Sequence, residues 1–445
     1  MKIEKKALNN NLEIALKGRR IQTSTAGDSI ESIKTVYKLT ELTKGEFQQF
    51  SVTHQQANFL QTVEFAELRE KRGWQKNFFV GIKDRENKVI GAALMSGMKN
   101  KLGFYYEIDG GMLLDYSDTE LVTQFIHSIK KFAKRHNGLL LTIRPNIVYQ
   151  KKDSNGLALD STNQLTHDLL LSLKLKHEGF TRGYENKTPR CIFVKDLTGM
   201  TQEELLSSYN SSSRAKINRT AKNGIQVRTL TESELPIFRD IMNSTSNRKN
   251  FHVKDLDYYK ALKKTFKEQA KFLVAEIDLE QYMKSLFNQL VVNEENDTNL
   301  IVDTPKKKKR KAGLKEERLA IQKRLDEIGQ ISRKVDITKP LILAGGLFIV
   351  SSNEVLYLFG GMYEEYQNLG SPTHLLQHHM MSYAIKHQTP RYNFYGISGI
   401  YDGSDGVLNF KKLFGGYVEE QLGSYNLVVS PVRNFVYKQL KKRIR

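Results

Sequence analysis

Between Gly396 and Phe414 the chain reads GISGIYDGSDGVLNFKKLF, directly after the strand-like run Tyr392 to Tyr395. Glycines let backbone approach a ligand closely. A lysine at the end of such a loop can meet negative charge that develops on a reacting group. Phe410 and Lys411 are therefore the candidate reaction pair. The same residues also fit a solvated loop entering a helix, since no metal-binding or nucleophile motif accompanies them.

Two more stretches carry chemistry. Arg219 stands three residues from both Lys216 and Lys222, which puts these cations on one helical face, and Arg214 adds charge nearby. Asn247 to Tyr259 (NRKNFHVKDLDYY) mixes cations with aromatics at a helix-loop-helix junction. Phosphates attract cations and bases or sugars stack on flat rings, so this mixture suits a nucleotide-bearing ligand, or else a surface turn with packed tyrosines.

The elements that must position these residues follow from periodicity. Thr40 to Phe50 and Phe59 to Trp74 read as helices. Phe78 to Ile82, Val89 to Met95 and Gly103 to Ile108 read as three strands, followed by a helix capped by Ser117 and Glu120 and running to Arg135, then a strand over Leu139 to Ile143. The same order recurs in Lys271 to Glu276, Leu341 to Val350, Val355 to Phe359, a helix from Ser371 and Pro372 to His387, and Tyr392 to Tyr395. The chain thus reads as internally duplicated. Thr201 and Glu204 cap a helix ending at Gly224.

The second copy carries an insertion from Ile277 to Asp336. Leu279, Tyr282, Leu286 and Leu290, then Leu314, Ile321, Leu325 and Ile328, predict two antiparallel helices with the basic run Lys307 to Lys311 in a polar tip between them. Such a tip suits a polyanion or a membrane surface. Residues 1–35 read as a flexible basic extension, 36–190 as a first subdomain, 191–276 with 337–445 as a second, and 277–336 as the arm.

Composition narrows the partner. A formal charge of +20 and pI near 9.6 on 445 residues imply nucleic acid, a phosphorylated substrate or an anionic bilayer. No apolar run reaches the roughly 18 residues that span a bilayer, so a cytoplasmic protein is expected. Cys191 is the single cysteine, which excludes a thiolate metal cluster, and its apolar neighbours make it a buried strand residue.

The segments SYNSSSRAKINRTAKNGIQV (Ser208 to Val227), NFHVKDLDYY, YLFGGMYEEY (Tyr357 to Tyr366) and YGISGIYDGSDGVLNFKKLFGG together resemble the FemABX family. These are aminoacyl-tRNA-dependent transferases that build peptidoglycan cross-bridges. The resemblance covers Thr40 to Tyr437 and is most specific in the carboxyl half. It implies an α/β fold of two GNAT-like subdomains plus a helical arm, no cofactor and no metal, and aminoacyl-tRNA with a muropeptide precursor as partners. Armed members generally use the lipid-linked precursor, which makes contact with the inner face of an anionic membrane a further expectation.

By the same resemblance, Phe410 and Lys411 match the pair at the reaction centre. Lys254 falls where a diphosphate-gripping arginine is common, with the charge kept and the two-pronged geometry lost. Arg69 would be the second diphosphate cation, with Lys71 as its rival and Phe65 in place of a tryptophan. Tyr258 matches a muropeptide contact, and Tyr357 and Phe359 lie where substrate is met, although Phe359 lacks the tyrosine hydroxyl. Arg214, Lys216, Arg219 and Lys222 would meet tRNA. Arg144 and Pro145 replace an aspartate-proline pair, so a general base cannot sit at Arg144. Two rival classes stay open: an acyl-CoA-dependent N-acetyltransferase, against which no pyrophosphate turn precedes the Ser117 or Ser371 helices, and a non-enzymatic tRNA- or membrane-binding adaptor.

Overall fold

Strand segments rich in β-branched and aromatic residues are interspersed with helices along the chain. In the computed structural model, which describes residues 38–184, 188–249 and 252–444, these become fifteen strands. The extension expected over 1–35 lies outside the described residues. The strands are β1 (Leu39–Glu41), β2 (Lys76–Lys83), β3 (Val89–Asn100), β4 (Gly103–Asp109), β5 (Gly138–Arg144), β6 (Val148–Lys152), β7 (Lys176–His177) and β8 (Cys191–Asp196). They continue with β9 (Gln226–Thr229), β10 (Ala270–Ile277), β11 (Leu341–Val350), β12 (Val355–Met362), β13 (Arg391–Ile397), β14 (Tyr417–Gln421) and β15 (Tyr425–Val428). One sheet has the order β1-β2-β3-β4-β5-β15-β7 and the other β6-β14-β8-β13-β12-β11-β10-β9.

The duplication is visible in this topology. Antiparallel β2-β3-β4 lead through helix Thr119–Arg135 to parallel β5, and antiparallel β10-β11-β12 lead through helix Pro372–Lys386 to parallel β13. The boundaries read from the sequence do not follow the sheets, however. Val148–Lys152 pairs with β14 in the second sheet, and Tyr425–Val428 pairs with β5 in the first. Each half lends the other a strand, because strand pairing is non-local and short segments carry little periodicity of their own.

Helix Thr119–Arg135 buries Leu121, Val122, Phe125, Ile126, Ile129 and Phe132, spaced by one to four residues along one face against the first sheet. Its cap is Asp118, which accepts from the Leu121 amide at 2.9 Å, whereas the Ser117 hydroxyl turns to Asp115. The shift by one residue reflects the stronger capping of a carboxylate in the helix dipole. The helix expected to run to Gly224 is two, Gln202–Ser207 and Ser211–Lys222, with Asn210 capping the second through the Ser212 amide.

In the arm, helix Leu279–Thr298 packs against Pro305–Ser332. Its root is buried through Leu279, Tyr282, Leu286, Ile321 and Ile328. Farther out the contact becomes polar, with Asn293 donating to Glu317 at 3.2 Å and Arg318 to Asp297 at 3.0 Å. Lys307 to Lys311 occupy the first turns of the second helix rather than the connecting turn, since Thr304 and Pro305 start that helix just before them.

Gly415 and Gly416 turn the chain from the FKKLF segment into β14. Gly416 has φ of 140°, and a Cβ there would lie 2.3 Å from the Val194 carbonyl oxygen. Gly416→Ala is expected to destabilise the fold by ~2 kcal/mol, read as a lower urea midpoint with an unchanged slope.

Candidate active site

β12 and β13 pair in parallel only at Val355 with Tyr392 and Leu356 with Asn393, whereas β4 and β5 stay paired through Asp109 and Arg144. β13 then bulges between Asn393 and Tyr395, and Tyr395 takes a φ of 66°. A left-handed tyrosine is costly and is held here by its surroundings. The opened strands form one wall of a cleft lined by Tyr357, Phe359, Gly361, Gly396, Phe410 and Lys411, among others.

Lys411 lies at the end of the six-residue helix Gly406–Lys411. Its Nζ donates to the carbonyls of Gly396 at 2.6 Å and Tyr395 at 3.2 Å. Only 4% of the residue is exposed, and burial pushes the ammonium down to about 7. Asp405 fixes the helix start by accepting from the Val407 and Leu408 amides, and it also accepts from the Ser398 amide, the Ser398 hydroxyl and the Tyr184 hydroxyl. Burial raises the Asp405 carboxyl, but the bonds from Ser398, Leu408 and Tyr184 outweigh it and hold it below the usual range.

Phe410 packs edge-on against His374, with ring centroids 5.1 Å apart, and at 5.3 Å from Phe414. His374 is buried with both ring nitrogens unbonded, and burial lowers it to about 4, so it is neutral at physiological pH. Tyr357 stacks on Phe348 at 5.2 Å. The Phe359 ring lies 6.2 Å from Tyr258, which Arg72 and Lys254 approach at 5.4 and 5.8 Å. Arg72 also holds both oxygens of Asp255 at 3.0 Å, while Lys254 is exposed.

The sequence candidates thus separate into groups. Lys411, Phe410, Tyr357 and Phe359 share the cleft, with Tyr258 and Lys254 reached through the Phe359 ring. Arg69 is elsewhere engaged. It is 7% exposed, pairs with Asp109 and with Glu107 at 3.5 Å, and carries its guanidinium 4.1 Å from the Trp74 ring centroid. Arg144 takes the other Asp109 oxygen. Lys71 is exposed.

On the helix Ser211–Lys222, Arg214 donates to the Ser207 and Tyr209 carbonyls at 2.7 and 3.0 Å and so closes the preceding helix. Lys216 adds its charge beside His374, Arg219 beside Tyr282 at the arm root, and Lys222 is exposed. Reading the sequence missed Tyr395, Asp405 and Arg72. Asp405 carried a signal as an aspartate placed to cap the short helix that follows, and Arg72 one as a cation three residues after Arg69.

The same desolvation that lowers the Lys411 ammonium silences the cysteine. Cys191 is buried and its thiol is pushed up to about 11, which disfavours the thiolate. Two mixed sheets built on a repeated strand-helix order, with a helical arm inserted in the second repeat, define the α/β class of this protein. The sequence model of the FemAB family matches residues 42–442. The aminoacyltransferase FemA of Staphylococcus epidermidis is 31% identical over 420 residues, covering 91% of this chain and 99% of the relative. That of Staphylococcus aureus is 30% identical over 425 residues, covering 92% and 100%. The crystal structure of FemX superposes with a TM-score of 0.70 at 21% identity over 91% of this chain and 99% of that one. The chain belongs to the FemAB family and is an aminoacyltransferase. Among the described residues, no helix is long and apolar enough to cross a membrane.

Proposed function

We propose that this chain transfers an amino acid from aminoacyl-tRNA to the side-chain amine of a stem-peptide lysine, or to a growing bridge, on a lipid-linked peptidoglycan precursor. The observation that carries the proposal is the Lys411 amine, held by two carbonyls at the cleft that Phe410, Tyr357 and Phe359 line. An aminoacyl ester is already activated. Attack by a free amine places negative charge on the ester oxygen, and a preset cation opposite that oxygen lowers the barrier. The amine loses its proton to a group of the substrate, and the tRNA hydroxyl leaves. No cofactor or metal enters these steps.

In this reading Lys254, beside Tyr258, takes the precursor diphosphate. Arg72 serves as its partner in place of Arg69, because the Arg72–Asp255 pair is solvent-accessible beside Tyr258 whereas the Arg69–Asp109 pair is buried. Lys216, Arg219 and Lys222 receive the tRNA backbone, so tRNA affinity falls with salt, and replacing all three with alanine is expected to reduce the slope of that fall by about 2 to 3. Filter binding at a series of salt concentrations measures it.

The reaction is tested by mixing the protein with lipid-linked or nucleotide-linked precursor and a pool of charged tRNAs, then weighing the product. A gain of one amino-acid residue is the expected result. Consumption of acetyl-CoA on another amine, with neither precursor changed, replaces the reading with an N-acetyltransferase.

A further inference from the structure

The free end of the arm combines two features that a transfer reaction does not need. In the turn between its helices, Ile301 is 77% exposed and Val302 44% exposed. Immediately after the Thr304 cap come Lys306, Lys307, Lys308, Lys309, Arg310 and Lys311 in unbroken succession. Lys307 pairs with Asp303 at 2.6 Å and Lys311 approaches Asp297 at 3.9 Å. Among the described residues Lys306, Lys308, Lys309 and Arg310 meet no carboxylate, and all four are exposed. The first arm helix rises about 18 Å between its last buried apolar root residue, Leu286, and its end at Thr298, so the tip stands clear of the core that buries the root.

We propose that this tip is a membrane-docking surface, with Ile301 and Val302 entering the interfacial layer of an anionic bilayer while Lys306, Lys308, Lys309 and Arg310 engage the lipid headgroups. Cations alone fit RNA as well as lipid. The two aliphatic side chains decide between them, because they gain nothing at a phosphodiester backbone and gain apolar burial at an acyl boundary. A polybasic cluster beside a short apolar wedge is the combination that gives peripheral binding without a spanning segment. Docking at the tip concentrates the enzyme where a lipid-linked acceptor lies. The surface itself does not rest on the transfer reading.

The full chain is pelleted with phosphatidylcholine vesicles, with and without phosphatidylglycerol, in the absence of tRNA and precursor. Binding to the anionic vesicles alone, weakened by salt, is the expected result. Ile301→Asp is expected to lower partition about tenfold, and Lys308→Glu with Lys309→Glu by more than tenfold. Both variants should keep their tRNA affinity and their transfer to a soluble acceptor, so a failure of the transfer reading is seen separately. The proposal is overturned if the protein ignores anionic vesicles or if the tip variants bind them as well as the parent. It is equally overturned if these variants lose tRNA affinity while keeping vesicle binding, which makes the tip an RNA contact.

Discussion

Lys411→Ala lowers single-turnover aminoacyl transfer by about 100- to 1000-fold, the range associated with losing one preset donor to a developing oxyanion. Lys411→Met, which keeps the length of the stem and removes the charge, is expected to fall by a similar factor. The pH profile separates this role from packing. Burial holds the Lys411 ammonium at about 7, so the charged fraction falls as pH rises through that value while the acceptor amine becomes more available. The parent's rate should therefore stop rising and level off above about 7, whereas the residual activity of either variant should go on rising with pH. Stability moves the other way. Above about 7 the native state holds fewer protons at this group than the unfolded chain, whose lysine titrates in the ordinary range, so stability rises with pH across that interval. Full single-turnover activity in both variants would falsify the role assigned to Lys411.

The elements around Lys411 were legible where local physics is decisive. The helix over Thr119–Arg135 announces itself by apolar spacing, the strand over Leu341–Val350 by a continuous apolar run, and the arm by its leucine and isoleucine repeats. What stayed hidden depends on distant parts of the chain. Nothing in Val148–Lys152 or Tyr425–Val428 marks the sheet that each joins, because the partners are supplied by the opposite end of the sequence. The positive φ of Tyr395 is likewise invisible, since it arises where β13 leaves β12 and turns a carbonyl toward Lys411. At Arg69 and Arg72 the sequence discloses two cations three residues apart. It does not disclose that the first faces an acid on β4 and the second an acid beside Tyr258.

That distinction sets the second large effect. Asp109 is 7% exposed and holds Arg69 with one oxygen and Arg144 with the other, while Glu107 stands 3.5 and 3.4 Å from the same two guanidiniums. Asp109→Ala strands two buried cations on one remaining, more exposed carboxylate. Removing one member of such a cluster is expected to cost about 3 to 5 kcal/mol, read in urea unfolding. If the cluster is structural, Arg69→Met alone destabilises as well, and Asp109→Ala with Arg69→Met costs less than the sum of the two, because the second change removes a charge the first had left unpaired. A diphosphate-binding Arg69 gives the opposite pattern, with unchanged stability and a raised KM for the precursor. In that event Lys254→Ala and Arg69→Met raise KM together, and the assignment of the second phosphate cation passes back from Arg72 to Arg69.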